Sequence, residues 1–182
     1  MVSTTRIAVG LLVAVALAGC VGGRSATTAT TTQNTTQTHP PQQVTLADAK
    51  RCPVTHPSRV GPRGVSRDRF FGWGSSHGNG KLWVGGLWPH GVIAAGPEFI
   101  DKDGSVSMKF GWWRATVGYL TIRGRRLDTS APPLRANVPR AYGETGFQSS
   151  SVNFPTEGCW EVTGEVGTTS LTFVTFVIKR GT

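Results

Sequence analysis

Carboxylates are scarce in this chain, with 10 Asp and Glu against 19 Lys and Arg, for a formal net charge of +9. No two of them are placed so that paired-carboxylate glycosidase chemistry becomes the better explanation. Long apolar runs are missing too. The longest, residues 7–18, falls short of the about 20 residues that a membrane-spanning helix needs. Helical periodicity is almost absent beyond one turn near Leu46-Ala47-Asp48-Ala49-Lys50, which leaves an all-β reading. A phosphate-binding loop is excluded around Gly80-Lys81. Ser75 stands where its first glycine belongs, and Leu82 stands where Ser or Thr belongs. Cysteines number only three.

The beginning of the chain carries the clearest signal. MVSTTRIAVGLLVAVALAGC has one cation, Arg6, a short apolar core and small residues at its end, the build of a secretory signal. Its end, Leu17-Ala18-Gly19-Cys20, resembles the lipobox of bacterial lipoproteins. That resemblance implies cleavage after residue 19 and a diacylglyceryl group on Cys20, with an address on the outer side of the cytoplasmic membrane. Two or more acyl chains, at about 0.8 kcal/mol per buried methylene, anchor stably where one does not. Residues 20–43, rich in Thr, Gln and Pro, have too little to bury to offset their conformational entropy. They read as a disordered tether, spanning about 30 Å as a coil and on the order of 80–90 Å fully extended.

From residue 44 to residue 182 the composition changes. Short apolar stretches recur between Gly and Pro turns: RFFGWGSS, KLWVGGLW, GVIAAG, SVSMKFGWWR, VGYLTIRGRRL, GFQSSSVNF, CWEVTGEV and TSLTFVTFVIK. That spacing predicts one antiparallel β-sandwich or barrel. Alternation puts Val106, Met108, Phe110 and Trp112 on one face, and sets Leu120 and Ile122 against Tyr119, Thr121 and Arg123. The last strand alternates apolar residues on both faces, Leu171, Phe173 and Val177 against Val174, Phe176 and Ile178, so it reads as covered on both sides. YGETGF, FPTEGCWEVTG and SLTFVTFVIK together resemble the closing strands of immunoglobulin-like sandwiches in bacterial lipoproteins. The chain departs from antibody domains in lacking a tyrosine two residues before Cys159.

With Cys20 assigned to lipid, Cys52 and Cys159 remain, and an even remainder outside the cytoplasm favours a disulfide. In CWEVTGEV, Trp160 falls on the face of Val162 and Cys159 on that of Glu161, so the bridge is expected on the more polar side. Two rivals stand beside it: a nucleophilic Cys159 served by His56, His77 or His90, and a zinc site combining Cys52 with His56. GSSHG matches the G-x-S-x-G nucleophile elbow around Ser76, but a turn and another strand follow it where a helix belongs. Asp101, Asp103 and Ser105 offer alternating oxygens to calcium, although Asp-Gly is first a turn signal.

The expected function is non-enzymatic: a membrane-anchored binding module for an envelope protein or an anionic wall polymer, with no cofactor and no nucleic acid. The alternative is a small envelope hydrolase or metal-dependent enzyme. The candidate binding surface combines Trp88 or Trp113, as an exposed aromatic platform, with the cations Arg123, Arg125 and Arg126.

Overall fold

The computed structural model describes residues 44–58, 60–67, 69–70, 73–88 and 90–180, with Trp73 described by its backbone. All lie in one compact unit, Pro41–Thr182. Cys20, the leader and the tether fall outside the described residues.

Among the described residues, nine strands form two sheets. They are β1 (His77–Gly78), β2 (Leu82–Gly85), β3 (Val92–Ala95), β4 (Val106–Arg114), β5 (Leu120–Arg126), β6 (Arg135–Asn137), β7 (Gly146–Phe154), β8 (Gly158–Val166) and β9 (Thr169–Lys179). One sheet runs β1-β2-β4-β7-β6 and the other β3-β9-β8-β5. The chain is therefore the expected β-sandwich, with one departure from antiparallel pairing: β3 runs parallel to β9. RFFGWGSS forms no described strand; its residues Trp73–Ser75 make a 3-10 turn. The turn between β1 and β2 is set by Asn79, whose side-chain oxygen accepts from the amides of Lys81 and Leu82 at 3.1 and 3.0 Å. Gly80 there takes φ 91°, a value that side-chain-bearing residues avoid.

The core follows the alternation. Val106, Met108, Phe110 and Trp112 of β4 are buried with Leu120 of β5, Trp160 and Val162 of β8, and Leu171, Phe173 and Val177 of β9. Phe110 and Trp112 reach across to Phe173 at 5.3 and 6.2 Å between ring centroids, and Phe154 meets Trp160 edge-on at 5.7 Å. Both fully buried indoles are satisfied: Trp112 Nε1 donates to Ser150 Oγ and Trp160 Nε1 to the Thr156 carbonyl. Trp112 lies against Gly164 so closely that an added Cβ would sit 2.5 Å from its ring.

The outer face of the second sheet is covered at one end. Cys52, Cys159 and Phe176 are buried there with Val44, Ala49, Val54, Val174 and Ile178 packed around them. The segment arrives through the single turn of helix α1 (Leu46–Ala49) and is stitched to β9, Thr55 N donating to the Val174 carbonyl at 2.8 Å. Cys52 is bonded to Cys159, with their Cα atoms 5.5 Å apart and a separation of 107 positions in sequence. The bridge is thus where it was expected, but its surroundings are apolar. The polar character of that face belongs to Glu161 and Glu165, farther along β8 and beyond the reach of the covering segment.

Replacing both bridging cysteines by serine is expected to lower unfolding free energy by about 2–4 kcal/mol, because a long loop is released in the unfolded chain. A urea titration with and without reductant checks it. Gly164→Ala is expected to cost about 1–3 kcal/mol by forcing Trp112 out of place, measured in the same way.

Candidate functional site

The residues expected to bind are not free to do so. Trp113 is half-buried on the outer face of the first sheet, in a cross-strand row with Trp83 and Phe147. Phe70 meets its ring edge-on at 6.5 Å. Trp88 is half-buried against the core, edge-on to Phe110. Neither is an exposed platform, because the sandwich uses both rings for packing. The arginine cluster is likewise engaged. Arg123 Nη2 pairs with Glu165 at 2.7 Å and Arg125 Nε with Glu161 at 2.9 Å, each across the β5–β8 pairing. Arg126 is mostly buried, paired with Asp128 at 2.7 Å and lying over Gly158. Each cation faces a carboxylate, so the three do not form an uncompensated positive patch.

The hydrolase and metal readings meet the same difficulty. Ser76 is fully buried and its Oγ donates to the Val60 carbonyl at 2.9 Å, where a nucleophile should stand exposed at a turn. His77 lies on the two-residue β1, and burial lowers its pKa. Cys159 and Cys52 are spent on each other, so neither is a thiolate for catalysis or zinc. Among the described residues no three His, Cys, Asp or Glu side chains gather as a metal cluster.

At the calcium candidate the carboxylates are saturated by the protein itself. Asp101 Oδ2 accepts from Ser107 Oγ at 2.6 Å and Asn153 Nδ2 at 2.7 Å. Asp103 accepts from the Ser105 amide and hydroxyl on one oxygen and from Arg135 Nη2 on the other. The Arg135 guanidinium thus already sets a positive charge against Asp103. These donors, Ser105 first and Arg135 after it, hold the Asp103 carboxyl down from 3.8 to about 2.

Among the described residues there is a cleft at one open side of the sandwich, between the edge strands β5 and β6. It encloses about 290 Å³ and is lined by Tyr119, Leu120, Thr121, Ile122, Ala136, Val138, Arg140 and Gln148. Its floor is the apolar edge of the core. At the mouth Tyr119 is 61% exposed, and the Arg140 guanidinium lies over its ring at 5.1 Å, a cation–π contact. Gln148, only 2% exposed, also borders the cleft. Its amide nitrogen donates to the Pro139 carbonyl at 2.8 Å, while its Oε1 is buried without a partner.

Arg114 holds the loops around this cleft. It is buried on β4 and donates to the carbonyls of Gly118, Tyr142 and Gly143 at 2.6, 3.1 and 2.9 Å. Three carbonyls tie the loop before Tyr119 to the loop after Arg140, and burial lowers the pKa of the guanidinium. Of the cleft residues, Tyr119 and Thr121 were visible in sequence as the solvent side of the β5 alternation. Arg140 and Gln148 carry no local signal, since both belong to the site only through the pairing of β7 with its neighbours.

No protein-family model matches the chain, and no curated protein matches it. Among solved structures it is similar to surface layer protein SbsC, domains 1–6, at 15% identity and TM-score 0.39, over 56% of this chain and 13% of that one. A second S-layer structure, rSbsC(31-844), is similar at 15% identity and TM-score 0.37, over 54% and 13%. SbsC domains 4 and 5 follow at 14% identity and TM-score 0.31, over 47% of each chain. The chain thus spans well under two thirds of each, and a likeness this distant says nothing of activity.

The Asp103 network sets a pH dependence. A carboxyl whose pKa is depressed in the folded state stabilises that state above its unfolded pKa and loses the contribution as pH falls through the folded value. Melting temperature is therefore expected to fall between about pH 4 and pH 2. Asp103→Asn should flatten that part of the profile; an unchanged slope would mean other carboxyls govern it.

Proposed function

We propose that this chain is a lipid-anchored envelope protein whose sandwich domain binds, without catalysis, a small polar group at the β5/β6 cleft. The observation that carries the binding reading is the cleft itself, with the exposed Tyr119–Arg140 pair on its rim.

The address rests on the leader. LAGC at the end of a short apolar run supplies Cys20 for acylation, and no described helix is long and apolar enough to cross a membrane. The Cys52–Cys159 bridge supports the same side of the membrane, since such bonds persist where thiols are readily oxidised. The Thr-rich stretch then acts as a tether between lipid and domain.

Expression in a bacterial host with labelled palmitate tests the anchor. Wild-type chain is expected to incorporate label and to partition into detergent, and Cys20→Ser to do neither. Equal labelling of the variant would move the anchor elsewhere or remove it from the account.

A further inference from the structure

From the free edge of β5 we infer that the chain pairs with a second copy of itself, strand to strand, along the β5/β6 cleft. This rests on the binding reading above and names the polar group bound there, the peptide groups of an extended strand. Among the described residues, the two sheets end on β1, β3, β6 and β5. The first three are short, at 2, 4 and 3 residues, as befits edges that avoid further pairing. Strand β6 is also set between Pro133 and Pro139, and proline offers no N–H to a new ladder. Strand β5 is different. It runs for 7 residues without proline, and its one-to-one register with β8 contains no bulge.

The pairing of β5 decides which of its groups face out. Leu127 N donates to the Cys159 carbonyl, so by antiparallel alternation Thr121, Arg123 and Arg125 turn their main chain toward β8. Ile122 and Gly124 turn theirs outward, where no described residue bonds to them. Gly124 is half-buried, and a glycine has only main chain to expose. The space beside this edge is the cleft, which Ile122 lines. An alternating row of N–H and C=O groups calls for an extended polypeptide, because a strand returns acceptors and donors at the same spacing. Charge does not block the approach. Arg123 is drawn back over β8 by Glu165, and Arg125 by Glu161.

A second copy meets this edge with its own. In a two-fold antiparallel pairing, Ile122 stands opposite Gly124 of the second copy, and each such pair exchanges two main-chain hydrogen bonds. The branched side chain of the pair faces a position that has none. Arg123 then falls on the dyad. Each Arg123 is bonded to its own Glu165 through both Nε and Nη2, so two neutral pairs meet there rather than two bare cations. An isologous contact of this kind closes at the dimer. The lipid anchor proposed above keeps the copies on one membrane surface, which favours encounter through so small an interface.

The test is sedimentation equilibrium of the full chain, expressed with labelled palmitate and held in density-matched detergent. The expected result is a monomer–dimer equilibrium with a Kd of about 100 μM. Hydrogen exchange at high concentration should add protection at the Ile122 and Gly124 amides and none at Thr121 and Arg123, which β8 already holds. Ile122→Pro removes an N–H from the free edge without touching the β5–β8 ladder, and should weaken the dimer at least about tenfold. Glu165→Gln covers the case in which proline unsettles the strand. It leaves bare cations at the dyad and should weaken the dimer about tenfold at low salt, with recovery at high salt. Both variants are checked for an unchanged melting temperature. Absence of association up to about 1 mM, a dimer indifferent to both variants, or added protection only outside residues 122 and 124 would overturn the inference. A labelled monomer sinks the pairing alone, since the cleft then stays open to a small ligand and the envelope reading is untouched. An unlabelled chain that dimerises upholds the pairing and sinks the anchor.

Discussion

The contact between Trp112 and Gly164 governs how the two sheets lie on each other. The indole of Trp112 projects from the middle of the first sheet and lies against β8 of the second, where only a glycine leaves room for it. Its nitrogen is satisfied within its own sheet by Ser150, so the ring can be buried without leaving a donor stranded. Phe173 then closes on the same ring from the neighbouring strand. Because interiors are packed with few voids, this one large side chain and one absent side chain fix the relative placement of β4 and β8. The positions of β5 and β6 follow, as the outermost strands beside β8 and β7.

That placement also explains why one side of the sandwich is open. The edge strand β6 has three exposed residues, too few to seal the gap against β5. Arg114 compensates by drawing two loops over the end of the core through three backbone carbonyls. The cost is a buried guanidinium, tolerable because most of its donors find oxygen. Gln148 sits where this arrangement stops, its amide nitrogen donating to the Pro139 carbonyl and its amide oxygen buried without a partner. Among the described residues, Arg114 Nε and Gln148 Oε1 are both left buried without a partner there.

Elsewhere the surface is internally settled. The aromatic residues outside the first sheet pack on one another, and the arginines outside the second meet carboxylates across the β5–β8 pair. Exposed pairs of that kind contribute little to stability, because solvent screens them. They do neutralise a patch that composition alone made look basic. The Cys52–Cys159 bridge does more, since it holds the covering segment 44–55 against β9 and turns half of a sheet face into a second, smaller core.

Periodicity and residue type were enough to determine the β class, the inward faces of β4 and β5, the two-sided burial of β9 and the pairing of the last two cysteines. These are local properties: a two-residue period shows which side chains can share a face, and parity plus compartment shows which thiols can meet. Periodicity could not say which outer faces would be covered. Trp113 was read as exposed because it alternates with the core, yet Phe70 and Phe147 come from distant parts of the chain to bury half of it. Arg123 and Arg125 were read as free cations because Glu165 and Glu161 lie some forty residues away and become neighbours only through the β5–β8 register. Strand β6 was invisible, since three exposed residues between prolines, Arg135-Ala136-Asn137, carry no alternation of burial. Gln148 and Arg140 become a site only when β7 is laid beside β6 and the Pro139 carbonyl takes one end of the amide. Tertiary structure alone decided that, because a partner's absence is a property of three-dimensional surroundings and has no signature along the chain.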